Sequence, residues 1–210
     1  SRVAPTSLEE LSAVTSIYRP GPLSANVDDD YVKTKRGQKK PHYEHPILKE
    51  ILEKNYGFII YQEDLAKIAH RMGKDISLTE GNKLRKLLTK KGTGAAAKEK
   101  QKIHDKFIVG CVEKGMAESA AEKLWQKMEY FSGYGFNASH AYSYSMISFQ
   151  CAWLFANYAS EWVAAFLDKE PDSRKEKAIG KAKGLGFIIG ELDVNYSGTV
   201  WEISADGKTL

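Results

Sequence analysis

The hydrophobic positions of the chain fall at helical spacing in one segment after another, with Gly and Pro between them. Residues 7–17, SLEELSAVTSI, place Leu8, Leu11 and Val14 on one stripe, with Ser7 as cap and Glu10 completing a capping box. YRPGPL then forbids helix across Gly21. Residues 28–36 predict a short helix with three aspartates at its start, where acids suit the dipole. GFIIY at 57–61 reads as a buried strand or an extended lead-in. A helix follows at 62–72 with Leu65, Ile68, Ala69 and Met72 in line, stopped by Gly73. Ser77 and Glu80 form a second capping box, opening a helix that carries Leu84, Leu87 and Leu88. Residues 97–114 put Ile103, Phe107 and Cys111 on one face before Gly115. Residues 119–131 do the same with Ala121, Leu124, Trp125, Met128 and Phe131, and a long helix is predicted from 140 to 168. In the tail, 184–210, Asp206-Gly207 is a hairpin signal. The expected fold is mainly α: a multi-helix bundle with a short β-containing C-terminal tail, residues 1–170 forming the helical domain and 171–210 beginning the next region.

One run stands apart. From Ala141 to Ser160 no residue carries a charge. Ser143, Ser145, Ser148, Gln150, Asn157 and Ser160 would each cost free energy in lipid, which argues against a membrane span. At about 100° per residue, Tyr142, Met146, Phe149 and Trp153 form one stripe, and Ile147, Cys151, Leu154 and Tyr158 another nearly opposite. A helix apolar on two sides is expected to be a strut buried on both. GYGFNASH, residues 133–140, sits at its N-terminus. Helix N-termini offer unpaired amides and partial positive charge, which suit phosphate. Gly133 and Gly135 allow a close backbone approach, and Asn137 or Ser139 can cap the helix. The same residues also serve as an ordinary connection between two helices.

NKLRKLLTKKG supplies Lys83, Arg85, Lys86, Lys90 and Lys91. Lys83, Lys86 and Lys90 share a face; Arg85 lies across the leucine stripe from them, and Lys91 continues that stripe past its end. Arg gives planar paired donors and Lys gives point charges, so the cluster suits phosphate as well as a solvated face.

Composition changes little. A net charge of +4 permits an anionic partner without requiring one, and 42% apolar with 28% charged residues is ordinary for a globular chain. Cys111 and Cys151 read as small buried hydrophobes in a reducing cytoplasm. The chain opens at Ser1 without a secretory signal and stops just after a turn, so a piece of a longer protein is expected, and the glycosylation patterns at Asn137 and Asn195 lose their meaning. GTGAAAKE at 92–99 lacks phosphate-loop spacing. His42 and His45 lie between prolines with no cysteine near, which disfavours a metal, and Asp28, Asp29 and Asp30 suit a helix start without one. No nucleophile–base pair emerges, so the residues alone favour binding over catalysis.

Taken in order, SLEELSAVTSIYRPGPL, YGFIIYQEDLAKIA, LRKLLTKK and FSGYGFNASHAYSYSMISFQCAWL resemble the fingers domain of bacterial replicative (C-family) DNA polymerase III alpha subunits. DVNYSGTVWEI resembles the segment after the fingers, and the likeness runs from about residue 5 to 205. The resemblance implies template-directed phosphoryl transfer from dNTPs by the parent, with Mg2+ held by palm aspartates outside this piece, which alone would be inactive. It implies primer-template DNA, an incoming dNTP, the palm and thumb domains and, through other regions, the sliding clamp as partners, in the cytoplasm and without a membrane. Arg85, Lys86, Lys90 and Lys91 match the family's basic helix end. Tyr134, Gly135, Phe136, Asn137, Ser139 and His140 match its nucleotide-facing loop. Arg19 matches the arginine of the Pro-Gly-Pro turn, a further DNA or nucleotide contact. Three positions depart from the pattern: Ala138 replaces a usual Lys, Lys86 a usual Arg and Ala159 a usual Pro, which softens the bend expected after Tyr158. Two other classes remain: a non-catalytic helical nucleic-acid-binding module, and a scaffold that binds only protein.

Overall fold

The computed structural model describes residues 2–19, 22–23, 26–89, 94–133, 135–195 and 197–210. Its described helices are α1 (Leu8–Ile17), α2 (Val27–Lys35), α3 (Pro46–Leu52), α4 (Gln62–Met72), α5 (Leu78–Thr89), α6 (Ala95–Glu113), α7 (Glu118–Ser132), α8 (Ala138–Asn157), α9 (Ala159–Lys169) and α10 (Asp172–Gly184). A single 3-10 turn, Glu53–Asn55, follows α3. The mainly α expectation holds. The chain divides into two compact units, Ser1–Ser145 and Met146–Leu210, and the boundary falls within α8.

In the first unit the stripes read from the sequence become the core. Leu65, Ile68, Ala69 and Met72 of α4 are buried with Leu84 of α5, Ile103, Phe107 and Cys111 of α6, and Leu124, Trp125 and Met128 of α7. Full burial of each large side chain contributes roughly 1.5–3 kcal/mol. The α4–α5 crossing is close because residue 81 is glycine: a Cβ there would lie 2.6 Å from the Ala66 carbonyl oxygen. Both capping boxes form, one with a change. Glu80 accepts from the Ser77 amide at 2.9 Å while Ser77 Oγ accepts from the Glu80 amide at 3.1 Å. At α1, Ser7 Oγ accepts from the Glu10 amide at 3.1 Å, but the Glu10 carboxylate reaches the Thr6 amide, at 2.7 Å, rather than that of Ser7.

Glu10 also accepts from Lys35 Nζ and from the Tyr56 hydroxyl, each at 2.7 Å. Burial works to raise its pKa, yet the bonds from Lys35, Thr6 and Tyr56 outweigh that and hold it down at about 2. This polar knot braces a second cluster of Ala13, Ile17, Tyr31, Val32, Ile60, Tyr61 and Ala141.

The second unit has its own small core: Val163 and Leu167 of α9 with Ala178 and Ala182 of α10, joined by half-buried Phe155, Trp162, Phe166 and Trp201.

Four expectations are corrected. First, 140–168 is two helices, not one. Tyr158 leaves helical geometry at φ −140°, ψ 58°, although residue 159 is alanine rather than proline. Just before it, Asn157 turns its side-chain amide onto the Trp153 carbonyl at 2.8 Å, a local bond that competes with the ladder. Second, the uncharged helix is not a strut buried on both sides: of α8 only Ala141 and Ser145 are buried. Met146 is 50% exposed, Ile147 57%, Phe149 56% and Trp153 49%. Third, the tail holds no strand among the described residues, only an isolated parallel bridge between Ile188 and Thr209. The Asp206-Gly207 turn does form, but Asp206 Oδ1 takes the amides of Lys208 and Thr209, each at 2.9 Å, and these donors cannot extend a ladder. Fourth, Cys111 is buried, its thiol pushed up to about 12 by burial, while Cys151 is only half-buried.

Elsewhere in the first unit, the Asp28–Asp30 run meets cations. Arg2 pairs with Asp28 and Asp29, and Lys39 with Asp30. His45 caps α3, accepting from the Ile47 amide at 3.2 Å while its other ring nitrogen faces the Lys114 carbonyl. Among the described residues no group of three or more His, Cys, Asp or Glu could hold a metal, and no helix is long and apolar enough to cross a membrane.

Candidate functional site

The extended lead-in ending at Tyr61 meets the loop after α7. Tyr61 and Phe136 form a parallel bridge: the Phe136 amide donates to the Ile60 carbonyl at 3.3 Å and the Gln62 amide to the Phe136 carbonyl at 2.9 Å. Gly135 permits this contact, since a Cβ there would lie 3.1 Å from Gln62 Cγ. At the start of α4, Asp64 accepts from the amides of Tyr61 at 2.9 Å and Ile60 at 3.1 Å, locking the lead-in to the helix. Burial pushes the Asp64 carboxyl up to about 6 in spite of those donors.

Two neighbouring side chains then join distant parts of the sequence. Gln62 Oε1 accepts from Arg85 Nη1 of α5. Glu63 accepts from Asn137 Nδ2 at 2.8 Å and from the Ala138 amide at 3.0 Å. The basic helix and the glycine loop thus meet at the first turn of α4. Asn137 also caps α8: its Oδ1 accepts from the Ser139 hydroxyl at 2.7 Å and the His140 amide at 2.9 Å. The His140 ring lies 5.3 Å from that of Phe136 and 4.6 Å from that of Tyr144. Arg19 joins the same place, its guanidinium carbon 4.5 Å from the Phe136 ring centroid, within cation–π range.

The structure therefore brings Arg19, Arg85, Gly135, Phe136, Asn137, Ser139 and His140 into one neighbourhood. Lys86 is exposed on α5 beside Arg85. Lys90, Lys91 and Tyr134 lie outside the described residues. The α8 N-terminus is not a bare amide cradle: Glu63 and Asn137 already occupy the Ala138 and His140 amides. A carboxylate there repels an anion, which leaves the arginines as the cationic groups of the crossing. Both retain donors, since Arg19 Nη1 and Arg85 Nε are buried without a partner among the described residues. Sequence reasoning singled out neither Gln62 nor Glu63. The signal was a polar pair set between an apolar run and an amphipathic stripe, at the point where α4 begins.

The first unit thus gathers two arginines and a capped glycine loop near one helix turn. Residues 1–115 match the bacterial DNA polymerase III alpha subunit finger domain, and the chain belongs to this family. It is 36% identical over 208 residues to the DNA polymerase III subunit alpha of Aquifex aeolicus, a match covering 99% of this chain and 18% of that protein. Identity to the same subunit of Chlamydia trachomatis is 35% over 97% of this chain and 16% of the relative. To that of Mycobacterium tuberculosis it is 36% over 94% and 17%. The chain thus spans less than a fifth of the length of these relatives.

Proposed function

We propose that the chain is the nucleotide- and DNA-contacting fingers portion of a replicative, DNA-directed DNA polymerase of the bacterial cytoplasm. Arg85, with Arg19 beside it, meets the triphosphate of the incoming dNTP. Lys86, Lys90 and Lys91 extend the cationic field. Tyr134, Gly135, Phe136, Asn137, Ser139 and His140 form the loop that faces the nucleotide and primer-template DNA. The observation that carries this reading is the convergence of the Arg19 and Arg85 guanidinium groups with the loop, where among the described residues Arg19 Nη1 and Arg85 Nε have no hydrogen-bond partner. Phosphoryl transfer depends mostly on positioning and charge neutralisation, and fixed guanidinium groups supply both.

The remaining machinery belongs to the palm and thumb domains of the parent and, through other regions, to its sliding clamp. Mg2+ would be held by palm carboxylates. The residues described here do not fit that ion, because the clustered aspartates are already paired with Arg2 and Lys39. The chain's own part is to orient the triphosphate and stabilise its charge.

The test is Arg85→Ala in the intact subunit. Losing a charge-assisted bond of roughly 1.5–3 kcal/mol is expected to lower kcat/KM for dNTP by about 10- to 100-fold. The melting temperature should stay within error. Unchanged kinetics would remove Arg85 from the site.

A further inference from the structure

We infer that Gln62 is a positioning residue for this reaction: its neutral amide oxygen fixes the Arg85 guanidinium while leaving that group's charge uncancelled for the triphosphate. The inference rests on the reading of Arg85 given above.

The first observation is connectivity. Gln62 holds Arg85 through its side chain and the Phe136 carbonyl through its backbone amide. One residue therefore sets the arginine's position relative to the loop. Confinement is the second. The backbone of Gly135 lies against the Gln62 side chain, close enough that a Cβ there would come within 3.1 Å of Gln62 Cγ, so the stem of that side chain is seated on the loop. A support of this kind keeps a functional group within a small fraction of an ångström of its working position.

The third observation is the choice of partner. Arg2, Arg71 and Arg174 each pair with a carboxylate, on Asp28 and Asp29, Glu50 and Glu170 respectively. Among the described residues Arg85 has no carboxylate partner, like Arg36, whose guanidinium reaches the Arg2 carbonyl, although Glu63 is the very next residue after Gln62. That carboxylate is turned instead onto Asn137 and Ala138. A carboxylate on Arg85 would hold it equally well but would cancel most of its field. An amide carbonyl supplies the bond and leaves the full positive charge.

The experiment compares Gln62→Glu, Gln62→Leu, Arg85→Ala and the double variant Gln62→Leu/Arg85→Ala in the intact polymerase subunit, reading dNTP KM, kcat and melting temperature. Gln62→Glu keeps the shape and the contact but neutralises the arginine. It is expected to raise KM about tenfold, as loss of one charge-assisted contact would, with kcat within about twofold. The melting temperature should hold or rise. Gln62→Leu frees the guanidinium and should raise KM about fivefold, an effect that disappears when Arg85 is already alanine. A purely structural glutamine would lower the melting temperature and leave KM alone.

An unmoved KM in Gln62→Glu, or a Gln62→Leu penalty that persists undiminished in the Arg85→Ala background, overturns the inference. If Arg85→Ala weakens nucleotide use while Gln62→Glu does not, only the inference falls. If Arg85→Ala is silent, the reading of Arg85 falls and takes the inference with it.

Discussion

The two ends of α8 are alike in composition and opposite in surroundings. Near the N-terminus Ala141 and Ser145 are buried, Asn137 caps the first turn and Glu63 holds the Ala138 amide. Beyond Met146 most large apolar side chains face outward, Phe155 excepted, and Phe149 is as exposed as Tyr144. Neither end carries a charge. The buried positions are small residues, and the exposed ones include Met146, Ile147, Phe149 and Leu154, side chains suited to a core. Freedom from charge therefore does not report which side of a helix is covered; bonds to neighbouring elements do.

From that contrast, the effects of substitutions should grade in size from the covered end to the bare one. The largest effect is expected in the unit that covers the first end, at Glu10. Glu10→Gln leaves the Lys35 ammonium without its carboxylate, and a loss on the order of 3 kcal/mol should appear in urea unfolding at neutral pH. Acid should do the same to the native protein. Folding lowers the Glu10 pKa from 4.5 to about 2, so its contribution is complete above about pH 4.5 and fades as the pH falls toward 2. Stability that does not fall more steeply in the native protein than in Glu10→Gln across that window would count against the knot.

Next comes Ala141→Leu. It adds bulk at a position with no exposure, and about 1–3 kcal/mol should be lost to overpacking, read as a fall in the urea midpoint. Asn137→Ala is expected to cost about 1 kcal/mol through the lost cap, and hydrogen exchange at the His140 amide should speed up while the α4 core stays protected. Smallest is Phe149→Ser, which should change stability by no more than about 0.5 kcal/mol. A loss of several kcal/mol at Phe149 would break the comparison outright.

The sequence was most legible where a helix buries a full stripe of large side chains. Leu65, Ile68 and Met72, or Ile103, Phe107 and Cys111, announce both the period and the face. Helix α10 escaped notice because its buried side is made of Ala178 and Ala182, whose small side chains scarcely stand out among its lysines. In the tail the turn was readable from Asp206-Gly207, but the capture of the Lys208 and Thr209 amides by Asp206 was not. Arg85 and the loop could each be picked out by composition and spacing. Their meeting could not, because it depends on Gln62 and Glu63 reaching residues far away in the chain, and no local pattern encodes such a contact.

A single missing atom governs how far the basic helix can reach. Because residue 81 ends at its Cα, α5 lies on the Ala66 carbonyl at backbone thickness, and Arg85 stands one turn farther along that same rod. Any longer side chain at 81 would act as a shim under a lever, lifting the helix and swinging the guanidinium off its mark without touching it.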